Sequence, residues 1–197
     1  MPRWEHGSKE RLKQAATELF DEQGFGNTSA VQIAERARVT TRTFFRYFPD
    51  KQAVVFADAE LLSAALLQGI LDATDVSRPL HTVVGALTGF DWQMLGPREA
   101  LRQRDAMIAS NQDLLERELV KQDEMADAFS SALQQRGVPP DTAELAARVG
   151  IEVFRTAYRR WLADDDADLA VTVDSLLSTL AALAVVPSGE FTGWPTY

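Results

Sequence analysis

The sequence predicts an all-α protein, and three observations carry that prediction. Apolar residues recur at intervals of three and four along most of the chain, no run of β-branched residues alternates strictly with polar ones, and the breaks coincide with Gly, Pro and helix-capping residues. There is no internal repeat or low-complexity tract.

The elements follow in order. Leu12, Ala15, Ala16, Leu19 and Phe20 make the stripe of an amphipathic helix that starts near Ser8 and stops at Gly24. Ser29 stands three residues before Gln32, a capping-box spacing, and Ile33, Ala34 and Ala37 supply the inner face of a short second helix. Thr40 caps a third, whose apolar side is expected to bury Phe44, Phe45 and Phe48 while Thr41, Arg42 and Arg46 face outward; Pro49 ends it. Asp50 caps a fourth helix expected to run unbroken to about Ala73. Shorter helices are expected over 80–92 and 98–110, with Gly96-Pro97 between them, and a longer one over 113–136, closed by Gly137 and Pro139-Pro140. The last two span 141–163 and 168–186, and 187–197 reads as a tail.

Composition removes several classes of chemistry. Of 197 residues 46% are apolar and 25% charged, the balance of a globular chain with a packed core. The absence of cysteine excludes disulfides, thiolate nucleophiles and cysteine-ligated metals. Two histidines, His6 and His81, are too few for the common zinc sites, and no phosphate-loop or dinucleotide fingerprint occurs. The acidic run Asp164, Asp165, Asp166 and Asp168 lacks the glycine and distal glutamate of a calcium loop and reads as a helix-capping turn. No metal, cofactor or enzymatic activity is expected. The N-terminus shows no secretory apolar region and Leu180–Val186 is too short to span a bilayer, so a soluble, cytoplasmic protein without a membrane partner is expected.

Charge is divided unevenly. The net charge is −9, yet residues 1–52 hold 9 Lys and Arg against 7 Asp and Glu, while the remainder holds 11 against 22. A mildly basic head on an acidic body suits a confined DNA-reading face rather than a general nucleic-acid coat. The third helix supplies such a face: arginine donates two hydrogen bonds to guanine in the major groove, and threonine offers a hydroxyl and a methyl. Thr28, Ser29 and Lys51 lie at helix N-termini, where phosphates are readily held.

The stretch Phe20–Val54 resembles the DNA-binding region of TetR-family transcriptional regulators, through Phe20, Gly24-Phe25, Thr28-Ser29, Ile33-Ala34, Ala37, Val39, Thr43, Phe48 and Lys51. The resemblance covers about a quarter of the chain. It implies that Thr28, Thr40, Thr43, Tyr47 and Lys51 hold phosphates, that Thr41 and Arg42 face base edges, and that Arg46 does either. Two positions depart from the family pattern. Arg38 stands where glycine is usual, so it either accepts positive φ at about 1 kcal/mol or reshapes the turn, and its guanidinium can offset that by reaching a phosphate. Phe45 stands where a phosphate-binding tyrosine is usual, and it has no hydroxyl for that contact.

In the body, Leu169, Val173, Leu176, Leu180 and Leu183 have the spacing of a helix seam, and Leu145, Val149, Val153, Ala157 and Trp161 make a comparable stripe. An intramolecular helix pair satisfies this pattern, and so does a dimeric four-helix bundle, which the resemblance favours. Val149, Val153, Trp161, Leu169, Val173, Leu176, Leu180 and Leu183 are therefore the expected dimer interface. Phe90, Trp92, Met94, Met107, Met125, Phe129, Phe154 and Tyr158 are large or adaptable side chains in the region that the resemblance makes the effector pocket; ordinary core is the alternative. The expected organisation is a helix-turn-helix domain over 1–50, an effector-binding and dimerisation domain over 51–186, and the tail. The expected function is a homodimeric repressor that reads a palindromic operator in double-stranded DNA and is released by a small, largely apolar effector. The alternative is a small-molecule carrier of the same fold without DNA function.

Overall fold

The computed structural model describes residues 4–184, which contain ten α-helices, one 3-10 turn and no strand. The helices are α1 Trp4–Gln23, α2 Ala30–Arg36, α3 Thr41–Tyr47, α4 Gln52–Val55, α5 Ala59–Leu71, α6 Pro79–Thr88, α7 Arg98–Ser110, α8 Gln112–Gln135, α9 Pro140–Ala163 and α10 Leu169–Ala184, with the 3-10 turn at Trp92–Leu95. The expected tail and the last two residues of the final helix lie outside the described residues. The chain groups into two compact units: residues up to 64 with 103–119, and residues 65–102 with those from 120 onward.

The first unit is built on a three-helix core. Leu12, Ala15, Ala16 and Leu19 of α1 meet Ile33, Ala34 and Ala37, and Phe44, Phe48 and Val54 close the cluster. Gly24 ends α1 with φ of 82°, and the capping box is formed: Ser29 Oγ accepts from Gln32 N at 3.2 Å while Gln32 Oε1 accepts from Ser29 N at 2.8 Å.

The fourth predicted helix is not continuous. It breaks at 56–58 into α4 and α5, with i-to-i+3 closures from Ala57 N to Val54 O at 3.2 Å and from Ala59 N to Phe56 O at 3.0 Å. The tighter turn accompanies burial of Phe56 among Phe25, Ile108 and Leu114, so tertiary packing overrides a local pattern with neither Gly nor Pro at the break. By length and composition alone Gln52–Leu71 is apolar enough to cross a membrane, with a mean hydropathy of 1.7; the break divides it.

In the second unit α9 is the central helix, burying Ala143, Ala146, Ala147, Gly150, Ile151, Phe154, Ala157, Trp161 and Leu162. It packs against α6 and α10. Gly150 permits the approach of α6, because a Cβ there would lie 2.6 Å from Val83 Cγ1. Two arginines cap helix C-termini, whose carbonyls lack intrahelical partners. Arg136 donates to Ile70 O at 3.2 Å and Ala73 O at 2.6 Å at the end of α5, and Arg98 donates to Asp165 O at 2.7 Å and Ala167 O at 3.0 Å after α9. The acidic turn also starts α10, since Asp168 Oδ1 accepts from Val171 N at 2.9 Å.

Candidate nucleic-acid interface

The connection between α2 and α3 is a tight turn held by two reversed hydrogen bonds. Val39 N donates to Ala34 O at 2.9 Å and Arg38 N to Glu35 O at 3.0 Å, the Schellman pattern that satisfies the last carbonyls of a helix. It places Arg38 in the left-handed region, with φ of 54°. The next helix then starts at once: Thr40 Oγ1 accepts from Thr43 N at 3.1 Å and lies 2.9 Å from the Thr43 hydroxyl.

This start fixes which face of α3 is presented. Phe44 and Phe48 are buried, and Arg42 and Arg46, one turn apart, are exposed. Thr41, Thr43 and Tyr47 are half-buried beside them. Arg46 leans along the surface, its Nη2 3.1 Å from Tyr47 Oη and its guanidinium 4.9 Å from that ring's centroid. One expectation is corrected. Phe45 does not join the buried phenylalanines but is 53% exposed, because at 100° per residue it lies a quarter-turn from the inward direction of Phe44. Its ring makes an edge contact with Phe44 at 5.3 Å.

The flanking residues occupy varied environments. Thr28 is buried, its hydroxyl within 2.9 Å of Gly24 O and 3.3 Å of Leu19 O, where it ties the start of α2 to the end of α1. Ser29 is committed to its capping box but remains exposed. Lys51 donates to Phe25 O at 2.7 Å with its ammonium 4.1 Å from the Phe25 ring centroid, and burial pushes its pKa below the ordinary lysine value. Lys51 is thus held in place before any ligand arrives.

Cation pairing differs between these residues and their neighbours in the same unit. Arg36 is locked by Glu22 at 2.7 Å and Glu18 at 3.3 Å. Lys13 is 2.8 Å from Asp58 and Arg117 is 3.0 Å from Asp50. Among the described residues Arg38 and Arg42 have no side-chain partner, and both are exposed. The three-helix core therefore carries unneutralised guanidinium groups on the turn and on the outer face of α3. That arrangement suits a major groove bordered by phosphates.

Residues 12–57 match the model described as bacterial regulatory proteins, tetR family. The head of the chain is similar to the tetR family. It is 28% identical over 187 residues to the HTH-type transcriptional regulator TcmR of Streptomyces glaucescens, a match covering 88% of this chain and 82% of that protein. Among solved structures, FadR of Thermus thermophilus, a TetR-family transcriptional repressor in complex with lauroyl-CoA, aligns with a TM-score of 0.57 at 23% identity, covering 94% of this chain and 100% of that one. The SmeT–triclosan complex aligns at 0.60 and 19% identity, covering 87% and 90%. The matched relatives are transcriptional regulators rather than enzymes.

The other candidate residues are distributed more widely than the sequence suggests. Phe90, Trp92, Phe154 and Tyr158 meet: Trp92 stacks on Phe154 with centroids 5.0 Å apart, Phe90 and Tyr158 flank it at 5.2 and 5.1 Å, and its indole N–H donates to Leu87 O at 2.8 Å. Phe129 is fully buried, Met125 is half-buried on α8, and Met94 is 77% exposed. Met107 belongs to the first unit, beside the Phe56 cluster. A groove of about 450 Å³ lies between α5 and α6; of the expected pocket residues only Phe90 lines it, together with Asp75, His81 and several small side chains. Of the expected interface residues, Val173 and Trp161 are buried within the protomer, Val149, Val153, Leu169, Leu176 and Leu180 are half-buried, and Leu183 is 78% exposed.

Sequence reading missed the arginines that hold α4. Arg117 and Arg104 lie over the Phe56 ring at 5.8 and 5.4 Å, and Arg104 Nε donates to Val55 O at 3.3 Å. No local pattern signals these contacts, which join residues about fifty to sixty positions apart in sequence.

Proposed function

We propose that this chain is a homodimeric, ligand-responsive repressor that reads a palindromic operator in double-stranded DNA. The observation that carries this reading is the exposed, unpaired Arg42 on a short helix fixed over a buried three-helix core. Thr41, Arg42 and Arg46 are assigned to base edges; Thr28, Ser29, Arg38, Thr40, Thr43, Tyr47 and Lys51 are assigned to phosphates, Thr28 through the helix start that it anchors. One such helix contacts too few base pairs for useful specificity, so a second copy is needed. The exposed Leu183 and its half-buried neighbours on α10 support pairing with a partner helix.

The operator-reading part is assigned to residues 1–50, and effector binding and dimerisation to 51–186. A small, largely apolar effector is favoured by the stacked aromatic group at Phe90, Trp92, Phe154 and Tyr158 and by the triclosan held by SmeT. The protein is assigned to the cytoplasm, where its DNA lies. Fluorescence polarisation with palindromic DNA from upstream of its own gene tests the reading. Sequence-selective binding, reversed by a compound that the protein binds, supports it; a chain that binds such a compound but no DNA is instead a carrier.

A further inference from the structure

The chain uses glycine at each of three positive-φ positions among its described residues, Gly24 at 82°, Gly96 at 140° and Gly137 at 90°. At the fourth it uses Arg38, at 54°. The left-handed region brings Cβ against the backbone, so any residue but glycine is strained there, and a long side chain offers no local compensation of the kind Asn and Asp provide. Among the described residues nothing repays the strain: the Arg38 side chain is exposed and has no ion pair or hydrogen bond there, although Arg36, two residues earlier, is held by two glutamates. The backbone needs no help from the side chain either, because both reversed hydrogen bonds of the turn are main-chain bonds.

We propose that Arg38 is a functional residue kept against the preference of the fold: its guanidinium binds a DNA phosphate beside the groove entered by α3, and glycine there would give a more stable but weaker-binding protein. The inference rests on the DNA-binding reading and deepens it. Arg38 lies two residues before the Thr40 cap of α3, on the same turn that sets the angle of that helix. A cation at this point reaches the backbone rather than the base edges, so it adds affinity without sequence preference.

The test compares R38G and R38Q with the native chain on its operator and on an unrelated duplex. Arg38→Gly is expected to raise the melting temperature by about 2–4 °C and to weaken both duplexes about tenfold, with the salt slope lowered by about one per half-site. Arg38→Gln keeps the backbone strain but loses the charge, so it should show the same loss of binding without the gain in stability. If R38G binds as tightly as the native chain with an unchanged slope, Arg38 holds no phosphate. If R38G melts no higher, the turn is not strained. Loss of preference for the operator alone would assign Arg38 to bases and overturn the phosphate contact. Failure of the native chain to bind any palindromic DNA would instead remove the underlying reading.

Discussion

Arg117 closes on Asp50, its Nη1 3.0 Å from both carboxylate oxygens, while Asp50 Oδ1 also accepts the backbone N–H of Ala53 at 2.6 Å. The carboxylate thus caps α4 and anchors it to a residue of α8 within the same unit. Since α4 begins a few residues after α3, this pair lies at the exit of the candidate recognition helix. Arg117→Ala is expected to cost under about 1 kcal/mol of stability, as the pair is partly exposed, yet to weaken operator binding. Arg117→Lys, which keeps the charge, should recover part of it. Unchanged affinity in Arg117→Ala would detach this contact from DNA binding.

Arg42 and Lys51 should fail in different ways. Arg42→Ala is expected to cost roughly 1–3 kcal/mol on the operator and to relax preference at one position per half-site. Lys51→Ala should weaken all duplexes alike and flatten the salt slope by about one per half-site. Binding titrations at several salt concentrations decide between base and phosphate roles; identical behaviour of the two variants would refute the assignment.

Burial separates two kinds of substitution in α10. Val173 is 1% exposed, and Val173→Asp should unfold the protomer, because a buried unpaired carboxylate costs several kcal/mol. Leu183 is 78% exposed, so Leu183→Asp should leave the helical circular dichroism intact while shifting sedimentation from dimer to monomer and abolishing operator binding. A dimer that survives Leu183→Asp would move the interface away from that end of α10.

The forked contact of Arg36 with Glu22, at 2.7 and 2.9 Å, holds the Glu22 carboxyl below its ordinary pKa. A carboxylate whose pKa is lowered by folding contributes stability above its unfolded value and loses it as pH falls through the folded value. Arg36→Ala should therefore be less stable than the native chain at neutral pH, with the difference closing in the acid range below pH 4.5. NMR titration of Glu22 should show its pKa returning toward the ordinary value in Arg36→Ala; no such return would assign the shift to another cause.

Much of the head was legible because its determinants are local. Ser29 with Gln32, Thr40 with Thr43, and the stripe from Leu12 to Phe20 are patterns within one or two helical turns, where backbone geometry dictates which residues meet. The sequence also narrowed the state of Arg38 to two alternatives, a positive φ or a reshaped turn. Tertiary structure decided the rest. Residues 56–58 break a helix that their own sequence would continue, because burying Phe56 among residues from distant helices outweighs one turn of regular hydrogen bonding. Phe45 turned outward because a helix face is set by what its neighbours pack against, not by apolarity alone. The eight aromatic and methionine candidates illustrate the same limit: composition shows that large side chains are present, but only packing separates the stacked group at Trp92 from fully buried Phe129 and exposed Met94. Local hydrogen bonding is encoded residue by residue, whereas burial is a property of the whole chain.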